Sequence, residues 1–275
     1  MRSTTWLGGL MGLVAGAAAL EYPATVEIDL VYPLNRTYNR VTQLPNRPNS
    51  NVTQLPVVFA IQNAEAAYAL GYVIWWEISE VHPESAESGP WSEGFMWTND
   101  SEVPHDTLDN ILYVAELTDN STELRAGEHV LSWVLSMTTC MNLHSDVYSS
   151  IQDLGAGKVY FTIVDDGSGE SKMDWTAGCP VHQASVTATS GDKKEGCLYI
   201  GRNEEEPDPC RAKMDSVTAA CVLANVTGSS NRSACQELAE KAAKAGDDGD
   251  EDAGARTALT TLGVVVPAFI AFMML

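Results

Sequence analysis

The sequence has few basic residues and no cysteine in its first half. Only 16 of its 275 residues are Lys or Arg, against 37 Asp and Glu, which gives a formal net charge of −21. Proteins that bind nucleic acid neutralise phosphates with clustered Lys and Arg, so this composition excludes that class. Apolar residues still make up 45% of the chain, which is enough to bury a core and excludes wholesale disorder.

The sequence motifs of common enzymes and metal sites are also missing. The chain has no C-x-x-C pair, P-loop, dinucleotide-binding glycine pattern, H-E-x-x-H or G-x-S-x-G. The five histidines are scattered without metal-ligand spacing: His82, His105, His129, His144 and His182. We therefore predict no catalytic residue, no metal and no cofactor. The densest carboxylate clusters, Asp165-Asp166 and Glu204-Glu205-Glu206, are interpreted as solvated charge.

Long apolar runs occur near the two ends of the sequence. Residues 1–19 combine Arg2, an apolar stretch and a final run of alanines, which is typical of a secretory signal peptide. Residues 258–275 form an apolar tail with no Lys or Arg after it, preceded by small residues and a polar spacer. This pattern predicts that residues 247–275 are a glycosylphosphatidylinositol (GPI) attachment signal, with Asp247, or Gly246, as the attachment site. A membrane-spanning tail is the alternative.

Possible N-glycosylation sites and the cysteine count agree with secretion. The acceptor pattern Asn-x-Ser/Thr occurs at Asn35, Asn51, Asn99, Asn120, Asn225 and Asn231. The six cysteines are Cys140, Cys179, Cys197, Cys210, Cys221 and Cys235. An even number in an oxidising compartment predicts three disulfides, and we expect sequential pairing: Cys140–Cys179, Cys197–Cys210 and Cys221–Cys235.

Residues 20–200 show the alternation of apolar and polar side chains that is typical of β-strands. In residues 25–31, for example, Val26, Ile28 and Leu30 share one face, while Glu27 and Asp29 are expected to face water. Further strands are predicted at 56–62, 71–78, 110–117, 129–139, 158–164 and 183–189. Short strands separated by turn residues predict a mainly β fold, an antiparallel two-sheet sandwich with an Ig-like layout.

Residues 201–246 are predicted to form a helical appendage. Asp208-Pro209 is a favourable helix start, and a helix from there would place Cys210 and Cys221 on one face. A capping box at 233–236 opens a second helix. An antiparallel helix pair would bring Cys221 near Cys235 and leave Cys210 for the sandwich. The connecting loop would carry two glycan acceptors, Asn225 and Asn231.

Two segments of the β region resemble a known family. The runs Ile28-Asp29-Leu30-Val31-Tyr32-Pro33-Leu34-Asn35-Arg36-Thr37-Tyr38 and Pro56-Val57-Val58-Phe59-Ala60-Ile61-Gln62-Asn63 are similar to secreted fungal proteins catalogued as a domain of unknown function. The resemblance implies a fungal surface protein. It implies no catalytic or binding residue.

The most suggestive side chains are aromatic. Trp75 and Trp76 are neighbours on a predicted strand and must point to opposite faces, with Trp76 packing between the sheets. Trp91, Phe95 and Trp97 are expected in a loop, where exposed Trp rings could stack on sugars.

These features support three readings of function. The first is a non-enzymatic, GPI-anchored and N-glycosylated protein on the outer leaflet of the plasma membrane or in the cell wall, with a structural or adhesive role. The second is a carbohydrate-binding module that uses Trp91 and Trp97, with cell-wall polysaccharide as partner. The third is a secreted carboxylate-dependent hydrolase.

Overall fold

The structure is a computed structural model that describes residues 22–40, 54–81, 92–97, 110–118, 125–138, 151–170, 174–190, 198–203, 206–228, 233–238 and 240. The strands in these ranges are β1 (Ala24–Tyr32), β2 (Thr37–Asn39), β3 (Pro56–Gln62), β4 (Tyr72–Glu80), β5 (Ser92–Trp97), β6 (Ile111–Leu117), β7 (Gly127–Thr138), β8 (Ile151–Val164), β9 (Val181–Ser190) and β10 (Leu198–Arg202). The helices are α1 (Ala64–Leu70), a 3-10 helix (Pro209–Ala212) and α2 (Ser216–Val226).

These strands form two five-stranded sheets that pack face to face. Sheet one has the order β10-β9-β1-β3-β6, and sheet two has the order β2-β8-β7-β4-β5. Within the described ranges, the neighbouring strands are antiparallel except for the parallel pair β2–β8. Phe59 of sheet one meets Trp133 of sheet two edge to face, with ring centroids 6.1 Å apart. The predicted mainly β, two-sheet sandwich is therefore confirmed.

Alternation explains which face of each strand enters the core. Val26, Ile28 and Leu30 of β1 are fully buried on the inner face, as their spacing predicts. β3 is different, because all seven of its residues are buried. Its outer face is covered by the chain after residue 206, where the Gln62 side chain donates to the Asp208 carbonyl over 2.9 Å. Sheet one is thus shielded on both sides in its centre.

Two buried tryptophans link the sheets. Trp76 and Trp133 lie opposite each other on β4 and β7, and each is flanked on its other side by a glycine, Gly94 on β5 and Gly157 on β8. The Trp76 indole donates to the Glu116 carboxylate of sheet one over 2.9 Å. The Trp133 indole donates to the side-chain oxygen of Gln183, also in sheet one, over 2.9 Å. Gly94, Trp76, Trp133 and Gly157 are aligned across β5, β4, β7 and β8, and we call them the Gly-Trp-Trp-Gly row.

The helical appendage begins later than predicted. Pro209 opens a 3-10 turn, and the chain is extended again at Lys213. The extension places Met214 in the core, 2% exposed. α2 then starts at Ser216, where the Asp215 side chain accepts a hydrogen bond from the Thr218 backbone N–H over 2.7 Å. The prediction of a single helix from Asp208-Pro209 is therefore wrong. Residues 233–238 are helical, in agreement with the predicted capping box.

Disulfide pairing is confirmed for one predicted bridge and wrong for the others. Cys221 pairs with Cys235, as predicted. Cys179 pairs with Cys210, which contradicts the expected bridges Cys140–Cys179 and Cys197–Cys210. The 3-10 helix folds back across sheet one and brings its cysteine to the start of β9, so the pairing follows tertiary contact rather than sequence order. Cys140 and Cys197 lie outside the described residues.

Among the described helices, none is long and apolar enough to span a membrane.

Candidate functional site

A cluster of aromatic side chains lies on the outer face of sheet two. Along β5, buried residues alternate with the exposed residues Glu93, Phe95 and Trp97. Phe95 is 55% exposed and Trp97 is 59% exposed. Trp75 of β4 is directly paired with Phe95 and shares its outer face, and Trp97 is two residues farther along β5. We call Trp75, Phe95 and Trp97 the aromatic face.

The tryptophan pair on β4 behaves as the sequence predicts, whereas the next aromatic segment does not. Trp76 is fully buried between the sheets, and its neighbour Trp75 points outward. Phe95 and Trp97 were expected in a loop, but they lie on an edge strand, so that prediction is wrong. The period-two pattern of β5 is interrupted by Gly94 and follows a Pro/Gly-bearing segment, which hides it from sequence inspection. Trp91 lies outside the described residues.

Acidic groups border the aromatic face. Glu77 of β4 and Glu93 of β5 lie directly opposite each other, next to the Trp75–Phe95 pair. Exposed aromatic rings stack on flat apolar surfaces, and carboxylate oxygens accept hydrogen bonds from hydroxyl groups. Two like charges on opposite residues also disfavour an anionic ligand. This arrangement suits a neutral, hydroxyl-rich ligand with a flat apolar side.

A second candidate site lies on the outer face of sheet one. Glu27 and Asp29 of β1 and His182 of β9 each offer one potential ligand atom, and these atoms lie within 4.8 Å of one another. His182 Nδ1 is 3.5 Å from Asp29 Oδ1 and 3.7 Å from Glu27 Oε1. We call these three residues the carboxylate–histidine cluster. Among the described residues, it is the group of His, Cys, Asp and Glu side chains that could hold a metal ion.

Asp29 is buried, although the sequence pattern predicted that it faces water. Its residue is 0% exposed, because the segment around Asp208 covers this part of the sheet. Gln62 Nε2 donates to Asp29 Oδ2 over 2.9 Å and to Glu27 Oε1 over 3.0 Å. Burial raises the pKa of Asp29 to about 7, the Gln62 hydrogen bond opposes that rise, and the negative charge of Glu27 adds to it.

Spacing along the sequence does not single out His182 as a ligand. This histidine lies on β9 and pairs in register with Asp29, so two residues far apart in sequence become neighbours in the sheet. His129 is fully buried on the central strand β7 and stacks on Phe161 with ring centroids 5.5 Å apart. His82, His105 and His144 lie outside the described residues.

The acidic clusters singled out from the sequence have local partners or lie in exposed positions. Asp165 forms an ion pair with Arg40 over 2.8 Å. Asp166 accepts a hydrogen bond from the Ser168 backbone N–H over 2.9 Å, which with the Ser168 hydroxyl lowers the pKa of its carboxyl. Glu206 is exposed, and Glu204 and Glu205 lie outside the described residues. Among the described residues, Asp165, Asp166 and Glu206 do not belong to a group of His, Cys, Asp and Glu side chains that could share an ion.

Two of the predicted glycan acceptors can be placed. Asn35 is exposed between β1 and β2. Asn225 is also exposed, but it lies in the last turn of α2 and not in the connecting loop that the sequence predicted. The remaining acceptors, Asn51, Asn99, Asn120 and Asn231, lie outside the described residues, as do the predicted signal peptide and the attachment site at Asp247 or Gly246.

Comparison with known proteins identifies a family without identifying an activity. The sequence profile of a family described as Domain of unknown function (DUF7136) matches residues 21–244. No curated protein matches the sequence significantly. The match covers the sandwich, both described disulfides and the helical appendage. It confirms the expected membership in a domain of unknown function, and the chain belongs to the DUF7136 family.

Proposed function

We propose that this protein is a non-enzymatic cell-surface glycoprotein that binds a neutral polysaccharide through the aromatic face. The observation that carries the proposal is the exposure of Phe95 and Trp97, each more than half accessible, beside the outward-facing Trp75. Adhesion to a wall polysaccharide combines two hypotheses from the sequence, the adhesive surface protein and the carbohydrate-binding module, because an adhesive protein needs a binding surface.

Large exposed aromatic side chains increase the risk of aggregation, which a purely structural protein would avoid. β5 is an edge strand of sheet two, and an apolar edge is prone to pair with other chains. A contiguous exposed apolar patch therefore indicates a binding surface. The three rings lie on two adjacent strands and share the flat outer side of the sheet, which favours an extended, flat ligand over one that enters a cavity.

The negative charge of the protein favours a neutral polysaccharide over an anionic one as the ligand. The whole chain has a net charge of −21, and Glu77 and Glu93 border the aromatic face. Repulsion disfavours anionic polymers, whereas neutral polymers can stack on the rings and donate hydroxyl hydrogen bonds to the carboxylates. Neutral β-glucan and chitin are suitable probes of this chemistry.

The sequence patterns and the disulfides support a proposed location for the protein. Cys179–Cys210 and Cys221–Cys235 are typical of a chain that matures in an oxidising compartment. We propose that residues 1–19 direct secretion and that the chain is transferred to a GPI anchor near Asp247. Release of the protein from cells by a phosphatidylinositol-specific phospholipase tests the anchor, and a fraction that stays in the membrane contradicts it.

Polysaccharide binding is tested by sedimentation of the full-length protein with insoluble β-glucan and chitin. We expect saturable binding to one of them that weakens about two- to tenfold in Trp97→Ala and further in Phe95→Ala/Trp97→Ala, since a ring stack is worth about 0.5–1.5 kcal/mol. Tyr160→Ala is the matched control, because Tyr160 is 53% exposed on β8, which is three strands away from β5 in sheet two. Equal loss in the control, or binding to neither polymer, contradicts the proposal.

A further inference from the structure

We propose that Glu27, Asp29 and His182 form a binding site for one divalent transition-metal ion, with Zn²⁺ as the best match. Two carboxylates and one imidazole are the oxygen and nitrogen ligands that such ions accept, and an imidazole disfavours Ca²⁺ and Mg²⁺. The site lies on sheet one and is independent of the aromatic face on sheet two.

The spacing of the ligand atoms fits an ion and does not fit direct hydrogen bonds. His182 Nδ1 lies 3.5 Å from Asp29 Oδ1 and 3.7 Å from Glu27 Oε1. A hydrogen bond would bring these atoms to about 2.7–3.2 Å. Two ligands of a tetrahedral ion at about 2.1 Å are separated by about 3.4 Å, which is close to the observed distances.

Atoms without partners support the same conclusion. Asp29 Oδ1 and His182 Nδ1 are both buried and have no hydrogen-bond partner in the structure. Asp29 itself is 0% exposed. A buried polar atom without a partner is costly, and a carboxylate more so. Among the described residues, no Lys or Arg lies within ion-pair distance of Glu27 or Asp29. A bound cation would satisfy both atoms and compensate the two acidic side chains.

The surroundings hold the cluster in place. Gln62 donates to a carboxylate oxygen of each acid, and the Asp208 backbone N–H donates to Glu27 Oε2 over 3.2 Å. Such outer partners orient metal ligands. The disulfide Cys179–Cys210 fixes the segment around Asp208 close to Cys179, which lies three residues before His182. The geometry is therefore set by covalent and hydrogen-bonded contacts on both sides.

The cluster is also reachable from solvent. The His182 side chain is 30% exposed and the Glu27 side chain is 14% exposed, while Asp29 forms the closed bottom. An ion can enter from the side of the imidazole. Three protein ligands leave a fourth tetrahedral position on that open side for water or another ligand, as in zinc sites that are not purely structural.

The test is a Zn²⁺ titration of the full-length protein, stripped with chelator, by calorimetry and by competition with a chromophoric chelator. We expect one ion per chain, a raised melting temperature with Zn²⁺, and no comparable effect of Ca²⁺. Asp29→Asn and His182→Gln should weaken Zn²⁺ binding by more than tenfold. Asp29→Asn keeps the size of the buried side chain and His182 is partly exposed, so both variants should keep the wild-type circular dichroism spectrum.

Asp153→Asn serves as the control, because Asp153 is an exposed carboxylate on sheet two. Its Zn²⁺ affinity should equal that of the wild-type protein. The proposal is overturned if the wild type binds no stoichiometric Zn²⁺, if Ca²⁺ binds equally well, or if Asp29→Asn and His182→Gln bind Zn²⁺ as tightly as Asp153→Asn does. Sedimentation with polysaccharide is a separate measurement, so failure of either proposal can be distinguished from failure of the other.

Discussion

Replacement of Gly157 by alanine should destabilise the sandwich, because this glycine makes room for a buried indole. A Cβ at Gly157 would lie 2.5 Å from Trp133 Nε1 and 2.7 Å from Trp133 Cε2, closer than real Cβ atoms approach. Ordinary contact begins at 3.4 Å, so the ring must move by most of an ångström. Trp133 is 1% exposed and packs edge to face on Phe59, which leaves no free space on its other side.

The expected cost follows from two effects. Overpacking a core costs about 1–3 kcal/mol. Displacing the ring also stretches the 2.9 Å hydrogen bond from Trp133 to Gln183, and an unsatisfied buried N–H costs about 1–3 kcal/mol. The lower entropy of the unfolded chain returns about 0.4–1 kcal/mol. We expect Gly157→Ala to lower the free energy of unfolding by about 2–5 kcal/mol, and the melting temperature by about 5–15 °C.

Urea denaturation followed by tryptophan fluorescence and circular dichroism, with disulfides intact, measures this change. Gly201→Ala is the matched control: Gly201 also lies in a strand, yet a Cβ there would meet no atom within 4 Å. The control should unfold within about 1 kcal/mol of the wild type. If Gly157→Ala is as stable as Gly201→Ala, the close contact with Trp133 does not hold the row together and the reasoning is wrong.

Two further predictions concern the disulfides and Asp29. Peptide mapping under non-reducing conditions should recover Cys179–Cys210 and Cys221–Cys235. Cys179–Cys210 closes a loop of 31 residues, and its removal should lower the free energy of unfolding by about 4 kcal/mol. Cys221–Cys235 closes 14 residues, and its removal should lower it by about 3 kcal/mol. The second prediction is measured in chelator, so that no metal is bound. The pKa of Asp29 is about 7 in the folded protein and 3.8 for an unperturbed aspartate, so between these values the folded protein keeps a proton that the unfolded chain loses. The free energy of unfolding should therefore fall by up to about 4 kcal/mol as the pH rises from 4 to 7. Asp29→Asn should abolish that fall, and an unchanged pH profile in the variant would contradict the assignment.

Local patterns were sufficient to predict the core strands. Period-two alternation identified β1, and runs of apolar β-branched and aromatic residues identified β3 and β4. The same reasoning correctly separated Trp76, which is buried, from Trp75, which faces outward. Each of these features depends on which face of one strand packs on the sheet beneath it, and the order of neighbouring residues in the sequence is enough to predict that face.

The features that sequence reasoning missed depend on contacts between distant segments. Asp29 follows the alternation of an outward-facing residue, and it is buried only because the chain near Asp208 returns across sheet one. His182 becomes a neighbour of Asp29 through strand register, which spacing along the chain cannot show. Cys210 was correctly left for the sandwich, but its partner was wrong for the same reason. The candidate metal site is thus assembled from tertiary contacts and has no local sequence motif.

Core packing and the aromatic face are coupled through β5. A Cβ at Gly94 would collide with the Glu116 carboxylate and lie 2.6 Å from Trp76 Cζ2, so this edge strand approaches the row only because residue 94 is a glycine. That approach sets the register that pairs Phe95 with Trp75 and Trp97 with Val73. The outward rings of β5 therefore sit on a strand whose inner side packs on Trp76 and whose Phe95 backbone N–H donates a hydrogen bond to the Glu116 carboxylate, the same carboxylate that accepts from the Trp76 indole. A rigid supporting strand reduces the conformational entropy that the protein loses when a ligand binds. A stacking surface for an extended polymer requires this property.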